Sequence, residues 1–484
     1  MRPIADDQFA TAGQEPVESP ITATEAIDIM LALLSDGLDH PELWAVMPQF
    51  LDGVDRLVPT LHQRLALESN QRTRVSLVLL IAICGAHLGQ APAMLDQLQP
   101  LSIRYSQSPL VQGAIFFVEG VCNPDDPKYR LVGKICPAPF VQLDVLDGST
   151  HQCCASWLKT SAGDLAAHEW QDVWNSKNAQ AIRESMFDGT YRHCNKGACP
   201  KIQANDLVPA DELAAQSDFW ADIIHNRRTE LAHGPELVNL AYDRTCNLAC
   251  PSCRLERYAA DDNERARFTD LQQNKILPML KNAKRVFVTG SGDPFASKNF
   301  RRLIEQLNAE DYPDLKFQIM TNGMLFTPAQ WDRFPSLHRR TAILKISIDA
   351  ATGPTHELLR RGARWPVMLE NMAFAGDLTA GGLVDHFELV FTVQADNFRE
   401  MGDAVDLAHQ VGATGIYFAR LTNWGTFTHE QYAEKAVFLH GHPDHAAFRK
   451  HMRDPRLLDP IVLLGDLESF VEAAPMEDRR KFGA

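Results

Sequence analysis

Three cysteines, Cys246, Cys250 and Cys253, sit in one short loop that follows directly on the apolar, strand-like run 237–242. Their spacing is C-x3-C-x2-C. Thiolates are soft ligands suited to iron–sulfur clusters, and a cluster usually takes four of them. Three clustered thiolates therefore leave one iron of a cubane open to bind and polarise another molecule. Such a site reads as catalytic rather than as an electron store. A zinc knuckle is the alternative, but zinc requires a fourth cysteine or histidine a short distance on. The next histidine is His338, and no cysteine stands between.

A chain of 484 residues exceeds the usual size of one hydrophobic core, so about two to four domains are expected. The net charge of -15 argues against a nucleic-acid backbone as the main partner, since such proteins carry basic stripes. Arg339-Arg340 and Arg479-Arg480-Lys481 are isolated charges, not a stripe. The most apolar run, 75–84, is too short to span a bilayer, so no membrane is expected. The N-terminus lacks a basic region followed by an apolar core, as a signal peptide would have. Ten cysteines without that signal point to a reducing compartment and hence the cytoplasm.

Residues 1–20 are polar, with Pro16 and Pro20, and read as a flexible tail. In 21–125, Leu31, Leu33 and Leu34, then Leu61, Leu65 and Leu67, then Leu77, Leu79, Leu80 and Ile83 recur at helical spacing, which predicts an α-helical domain. A second unit spans 126–215. There 140–145 reads as a strand, Asp147-Gly148 as a tight turn, and a return strand delivers Cys153 and Cys154. From 232 to 430, strands predicted at 238–242, 285–289, 316–320, 343–348, 387–393 and 415–418 alternate with helical patterns. The fold class is α/β, with a parallel sheet curved into a partial (β/α)6 TIM-like barrel. Residues 431–484 form a C-terminal extension.

In such barrels the functional groups sit in the loops after the strands. After the second strand comes Thr289-Gly290-Ser291-Gly292-Asp293-Pro294, whose glycines let backbone groups approach a ligand closely. After the third comes Thr321-Asn322-Gly323. The fourth reads Lys345-Ile346-Ser347-Ile348-Asp349, and alternation puts Lys345, Ser347 and Asp349 on one face. Three polar groups on one face of an apolar strand are hard to bury without a ligand. Asp349 also reads as a cap for the following helix, and Asn397 as a cap for the next. Gln394, at the end of the fifth strand, is expected to face the cavity, and Trp424 to lie in the core or at the rim. Lys345, Asp349 and Tyr242 are candidate acid or base groups by predicted position alone.

The string "CNLACPSC", with the glycine loop and the segment running from Ser347-Ile348-Asp349-Ala350 to Arg360-Arg361-Gly362, resembles the radical S-adenosylmethionine (radical SAM) superfamily. The resemblance implies that Cys246, Cys250 and Cys253 hold a 4Fe–4S cluster. S-adenosylmethionine (SAM) would chelate its open iron, and one electron would release a 5′-deoxyadenosyl radical. It implies SAM contacts at Gly290, Ser291, Gly292, Asp293, Asn322, Ser347, Arg360 and Gln394. Two departures from the family pattern are Ser252, where an aromatic residue often lies near the adenine, and Asp293 in place of glutamate.

Cys136, Cys153, Cys154, Cys194 and Cys199, with "CPAPF", "LDGSTHQCC" and "HCNKGACP" around them, resemble the SPASM domain, an auxiliary iron–sulfur module. The module precedes the barrel here, whereas it usually follows. The resemblance implies a second, auxiliary 4Fe–4S cluster on Cys136, Cys153, Cys194 and Cys199, with Cys154 a bystander; four thiolates fit structural zinc as well. Cys84 and Cys122 read as ordinary buried thiols. Together the two resemblances imply an enzyme that acts on a peptide or protein, with a carbohydrate or other small-molecule substrate as the runner-up. The remaining readings are a non-catalytic iron–sulfur or zinc scaffold and a redox sensor. A reducing partner such as flavodoxin or ferredoxin would supply the electron.

Overall fold

The computed structural model describes residues 21–35, 41–105 and 108–471. The tail expected at 1–20 and the end of the extension, 472–484, lie outside the described residues. The chain divides into two compact units, Met1–Ile135 with Ser185–Pro209, and Cys136–Glu184 with Ala210–Ala484. The stretch expected as a single module at 126–215 is therefore shared between them.

Among the described residues, the core of the first unit is built by helices α1 (Ala23–Ser35), α2 (Pro41–Leu51), α3 (Val54–Leu67), α4 (Gln71–Gly85), α5 (Ala91–Arg104) and α6 (Pro109–Cys122). Asn70 starts α4 by accepting from the backbone N–H groups of Arg72 and Thr73 at 2.9 and 3.1 Å. Ser108 does the same for α6 through Val111, with Pro109 set in the first turn. Ile27, Phe50, Leu57, Leu61, Leu77 and Leu80 are fully buried between the helices. Leu67 departs from the predicted leucine stripe, because it ends α3 and is 87% exposed. The run Gln71–Ser102 is long and apolar enough to cross a membrane by length and composition, contrary to the expectation from 75–84 alone. It is broken at Gly89, whose φ of 81° is not helical, and much of it is buried as the centre of the helical core. Burial pushes the Cys84 thiol up to about 12, as expected of an inert core thiol. Strands β1 (Lys134–Ile135) and β5 (Val208–Pro209) pair antiparallel in this unit.

The second unit holds a ten-stranded sheet. Its strands are β2 (Gln142–Leu146), β3 (Ser149–His151), β4 (Gly163–Asp164), β6 (Leu237–Leu240), β7 (Arg285–Val288), β8 (Lys316–Thr321), β9 (Thr341–Ser347), β10 (Val384–Val393), β11 (Gly415–Arg420) and β12 (Val462–Leu463). The order across the sheet is β12-β11-β10-β9-β8-β7-β6-β2-β3-β4. The six predicted barrel strands are β6 to β11, adjacent in sequence order and all parallel. One face of each strand is sealed under helices, with Val238, Val286, Leu344 and Phe387 fully buried. The opposite face carries Asn239, Phe287, Lys345 and Glu388, which are only half-buried.

The sheet runs past the predicted six strands at both ends. β12, from the C-terminal extension, pairs with β11, and Asp466 just beyond it binds Arg420 at 3.0 Å, covering that edge. At the other end β2 pairs parallel to β6, placing Asp144 opposite Asn239. β2 and β3 form the expected hairpin, and its turn residues Asp147 and Gly148 take φ values of 45° and 91°.

Asp144 is 2% exposed and accepts from the side-chain amides of Gln142 and Asn239 at 2.7 and 2.8 Å. Burial pushes its carboxyl up from 3.8 to about 6, against the pull of those two donors. The folded state thus holds this proton more tightly than the unfolded chain. The associated stability is complete below pH 4 and is lost as pH rises through about 6, by up to about 3 kcal/mol. The Asp144→Asn variant should therefore gain about 1–3 kcal/mol relative to wild type between pH 4.5 and 7.5 in urea unfolding. An equal difference at both pH values would show that Asp144 titrates normally.

Candidate functional site

The loops after β6, β7, β8, β9 and β11, with Val390 and Thr392 at the end of β10, line one pocket. Its walls include Cys246, Cys250 and Cys253 from the first of these loops and Leu421, Thr422 and Trp424 from the last. In a flat sheet those loops would stand five strand spacings apart, about 24 Å at ~4.8 Å each. Their meeting at one pocket shows that the sheet curls.

The cluster loop has little regular structure and is held by its neighbours. Cys246 N–H donates to Tyr258 O at 2.9 Å, and Ala249 N–H to Arg361 O at 3.1 Å. Arg361 returns a bond from Nε to Ala249 O at 3.0 Å. The sulfurs already have donors aimed at them: Leu248 N–H and Asn322 Nδ2 reach Cys246 Sγ at 3.5 Å each, and Arg254 Nη2 reaches Cys253 Sγ at 3.3 Å. Burial pushes the Cys246 and Cys250 thiols up, so an electrophile is needed to hold them as thiolates. Among the described residues, no three His, Cys, Asp or Glu side chains converge to hold one metal ion. A cubane places each thiolate on a different iron, so the sulfurs need only share a cavity. The donor set, with cationic Arg254 and Arg360 beside it, fits such a cluster.

The glycine loop leaves β7 through Thr289, whose φ is 154°. Thr289 Oγ1 accepts from the N–H groups of Ser291 and Gly292 at 2.8 and 3.4 Å. Those donors are thereby turned away from an anion, and the loop is better suited to a cationic amine. Gly292 is required because a Cβ there would stand 2.5 Å from Asp243 O. Arg254, which the motif reading passed over, clamps this loop to the cluster loop by donating to Ser291 O and to Arg244 O. Its place directly after the third cysteine was the available signal.

Of the expected SAM contacts, Gly290, Ser291, Gly292, Asn322, Ser347 and Arg360 line the pocket. Asp293 and Gln394 are not among the lining residues. Asp293 is fully buried, and its two oxygens accept from Phe295 N, Ala296 N, Thr321 Oγ1 and Asn322 N at 3.0, 3.2, 2.6 and 2.9 Å. It is a brace between the loops after β7 and β8. Burial pushes its carboxyl up, while these four bonds pull the other way. Gln394 is buried, and its backbone N–H donates to Asn397 Oδ1.

Asp349 lines the pocket and does not cap the following helix, whose N-cap position is Thr352; Asn397 stands at the N-cap position of the 3-10 turn Phe398–Glu400, but its side chain makes no capping bond. Asp349 lies at φ 54°, accepts from Thr392 N at 2.8 Å, and pairs with Arg360 Nε at 2.8 Å. Burial opposes the charged form of Arg360, but Asp349 and Cys250 raise its pKa overall. Asn397 donates to Asp349 O and Thr392 O at 2.9 and 2.8 Å, joining two strand ends. Lys345 pairs with Glu388 rather than lining the pocket wall. Tyr242 is buried against Phe268 and Phe300, which removes it as a proton donor to substrate. Trp424 is at the rim, 59% exposed.

Residues 243–387 match the radical SAM superfamily, and residues 136–200 match SPASM, an iron–sulfur cluster-binding domain. The chain carries a radical SAM domain and a SPASM module. The radical SAM domain brings a 4Fe–4S cluster and SAM as cofactors, and the SPASM module brings auxiliary iron–sulfur binding. No curated protein matches the sequence. Among solved structures, SuiB from Streptococcus suis is 15% identical with a TM-score of 0.32, over 46% of this chain and 47% of its own. The structure of anSMEcpe with bound AdoMet and Kp18Cys peptide is 16% identical with a TM-score of 0.30, over 41% of this chain and 57% of its own. The chain thus spans about half the length of SuiB. Within the SPASM match, Cys136 and Cys153 belong to the second unit, and Cys194 and Cys199, both buried, to the first.

If Asp293 is a brace, Asp293→Ala should cost about 3 kcal/mol or more in urea unfolding, since it strands buried donors. Asp293→Asn, which keeps one acceptor oxygen, should cost less. Unchanged stability with lost SAM affinity in equilibrium dialysis would make Asp293 a ligand contact instead.

Proposed function

We propose that the chain is a radical SAM enzyme that removes a hydrogen atom from a peptide or protein substrate. The observation that carries the reading is a single pocket opened on by three thiols, the glycine loop, Ser347 and Arg360. Bound there, the cluster and SAM supply a 5′-deoxyadenosyl radical after one electron enters. Cys246, Cys250 and Cys253 would hold the cluster. Arg254 and Arg360 offset the thiolate charge, and Asn322 donates to Cys246. The glycine loop, with its N–H groups turned inward onto Thr289, would receive the amine of SAM. The chain's other task is to hold the substrate close and exclude water, because a primary radical attacks whatever it meets.

The peptide reading rests on the pairing of a radical SAM domain with a SPASM module, and a carbohydrate or other small metabolite remains the second reading. A flavodoxin- or ferredoxin-like carrier would deliver the electron, in a cytoplasmic setting. Anaerobically reconstituted wild-type protein should yield 5′-deoxyadenosine under strong reductant. The Cys246→Ala, Cys250→Ala, Cys253→Ala protein should yield none, and a yield near wild type would end the proposal.

Cys136, Cys153, Cys194 and Cys199 supply enough thiolates to close a second cubane. Replacing all four with alanine should remove about four irons per chain and leave SAM cleavage measurable while substrate turnover stops. Full iron content in that variant, or stoichiometric zinc in the native protein, would contradict an auxiliary cluster on these residues.

A further inference from the structure

One charged pair on the half-buried face of the sheet is left unused by the pocket. Lys345 on β9 and Glu388 on β10 are register partners, and Lys345 Nζ lies 2.6 Å from Glu388 Oε2. Their side chains retain 22% and 13% of their exposure. Two residues further along the same face are Ser347 and Val390, which line the pocket. At ~3.3 Å per residue the pair sits about 7 Å below that wall. Met320, another pocket-lining residue, is the register partner of Lys345 on β8.

The surroundings are built to accommodate the pair. Gly415 stands opposite Glu388, and a Cβ there would come within 3.1 Å of Glu388 Cγ. The Tyr417 ring lies 5.8 Å from Lys345 Nζ. Lysine and glutamate are poor strand formers, and an apolar pair would pack this face at least as stably. Among the described residues each side chain hydrogen-bonds only the other. Glu388 therefore keeps acceptor capacity and Lys345 keeps donors, all facing partial solvent beneath the pocket.

We propose that Lys345 and Glu388 anchor the substrate by binding a neutral amide, either a peptide group or a carboxamide side chain. An amide N–H would donate to Glu388, and the adjacent carbonyl would accept from Lys345. The pair is neutral overall, and an amide keeps it so. A ligand with a net charge would leave one charge uncompensated at this half-buried pair. This assignment rests on the peptide reading of the same site and gives it a point of attachment.

The probe is N-acetylglutamine methylamide, followed by saturation-transfer NMR on anaerobic, SAM-loaded holoprotein, with glucose as the comparison. The wild type should show transfer to the amide and not to glucose. Lys345→Met/Glu388→Met should lose at least five-fold of that signal while keeping wild-type iron content and a cooperative urea transition. The swap Lys345→Glu/Glu388→Lys should restore most of it, because an amide can bridge the reversed pair. No transfer to wild type, equal transfer to the double methionine variant, preference for glucose, or a swap as weak as the methionine variant would each overturn the assignment. Wild-type 5′-deoxyadenosine formation is read separately; its absence counts against the radical SAM activity, and the probe still decides the anchor.

Discussion

Three buried aspartates hold the pocket together, each just past the end of a barrel strand. Asp243, after β6, accepts from Thr245 N at 2.8 Å and from Ser297 Oγ at 2.5 Å, reaching the loop after β7. Asp293, after β7, reaches Thr321 at the end of β8 and Asn322 just beyond it. Asp349, after β9, reaches Thr392 on β10 and Arg360. The loop after β6 is thereby tied to the one after β7, that loop to the end of β8, and the loop after β9 to β10, each through carboxylate oxygens. Such bonds are about twice as strong as neutral ones, and a buried donor left without its acceptor is costly. The cluster loop needs this support, because it has almost no helix or strand of its own.

Legibility in the sequence follows the range of the interaction. The six strands β6 to β11 were readable because each is a local apolar run ended by a polar loop, and their bounds agree to within a few residues. The cysteine loop, the glycine loop, Ser347 and Arg360 were readable because each belongs to a short motif. The bracing bonds of Asp293, the side-chain bonds of Asn397 and the ion pair of Asp349 were not readable, because sequence offers only local partners, a cap or a ligand. Their actual partners lie on other strands and loops; Asn397 Nδ2 reaches back 48 residues to Asp349 O. Asp349 does line the pocket with Ser347, as their shared face implied. Aspartate in place of glutamate at 293 was the visible clue, since the shorter side chain reaches a neighbouring loop and stops short of the cavity.

The edges of the sheet were the other gap. β12 has two residues, too short for an alternation pattern, and β2 was read as a strand but not as a member of this sheet. Membership in the sheet is decided for both by pairing with a strand far away in sequence. The helical unit shows the converse case. Leu67 and Leu61 share one leucine pattern, yet one is exposed and the other fully buried, because six residues of helix turn Leu67 about 120° away from the face that Leu61 buries.

The pairing of β2 with β6 has a consequence for synthesis. Asp144 and its partner Asn239 are 95 residues apart, so the first leaves the ribosome well before the second. At ~5–20 residues per second the hairpin waits roughly 5–20 s with one edge bare. During that interval it holds a local two-residue turn and a solvated carboxylate in place of a neighbouring strand. The charge that burial later penalises is, while the chain is still growing, a guard against pairing with the wrong edge.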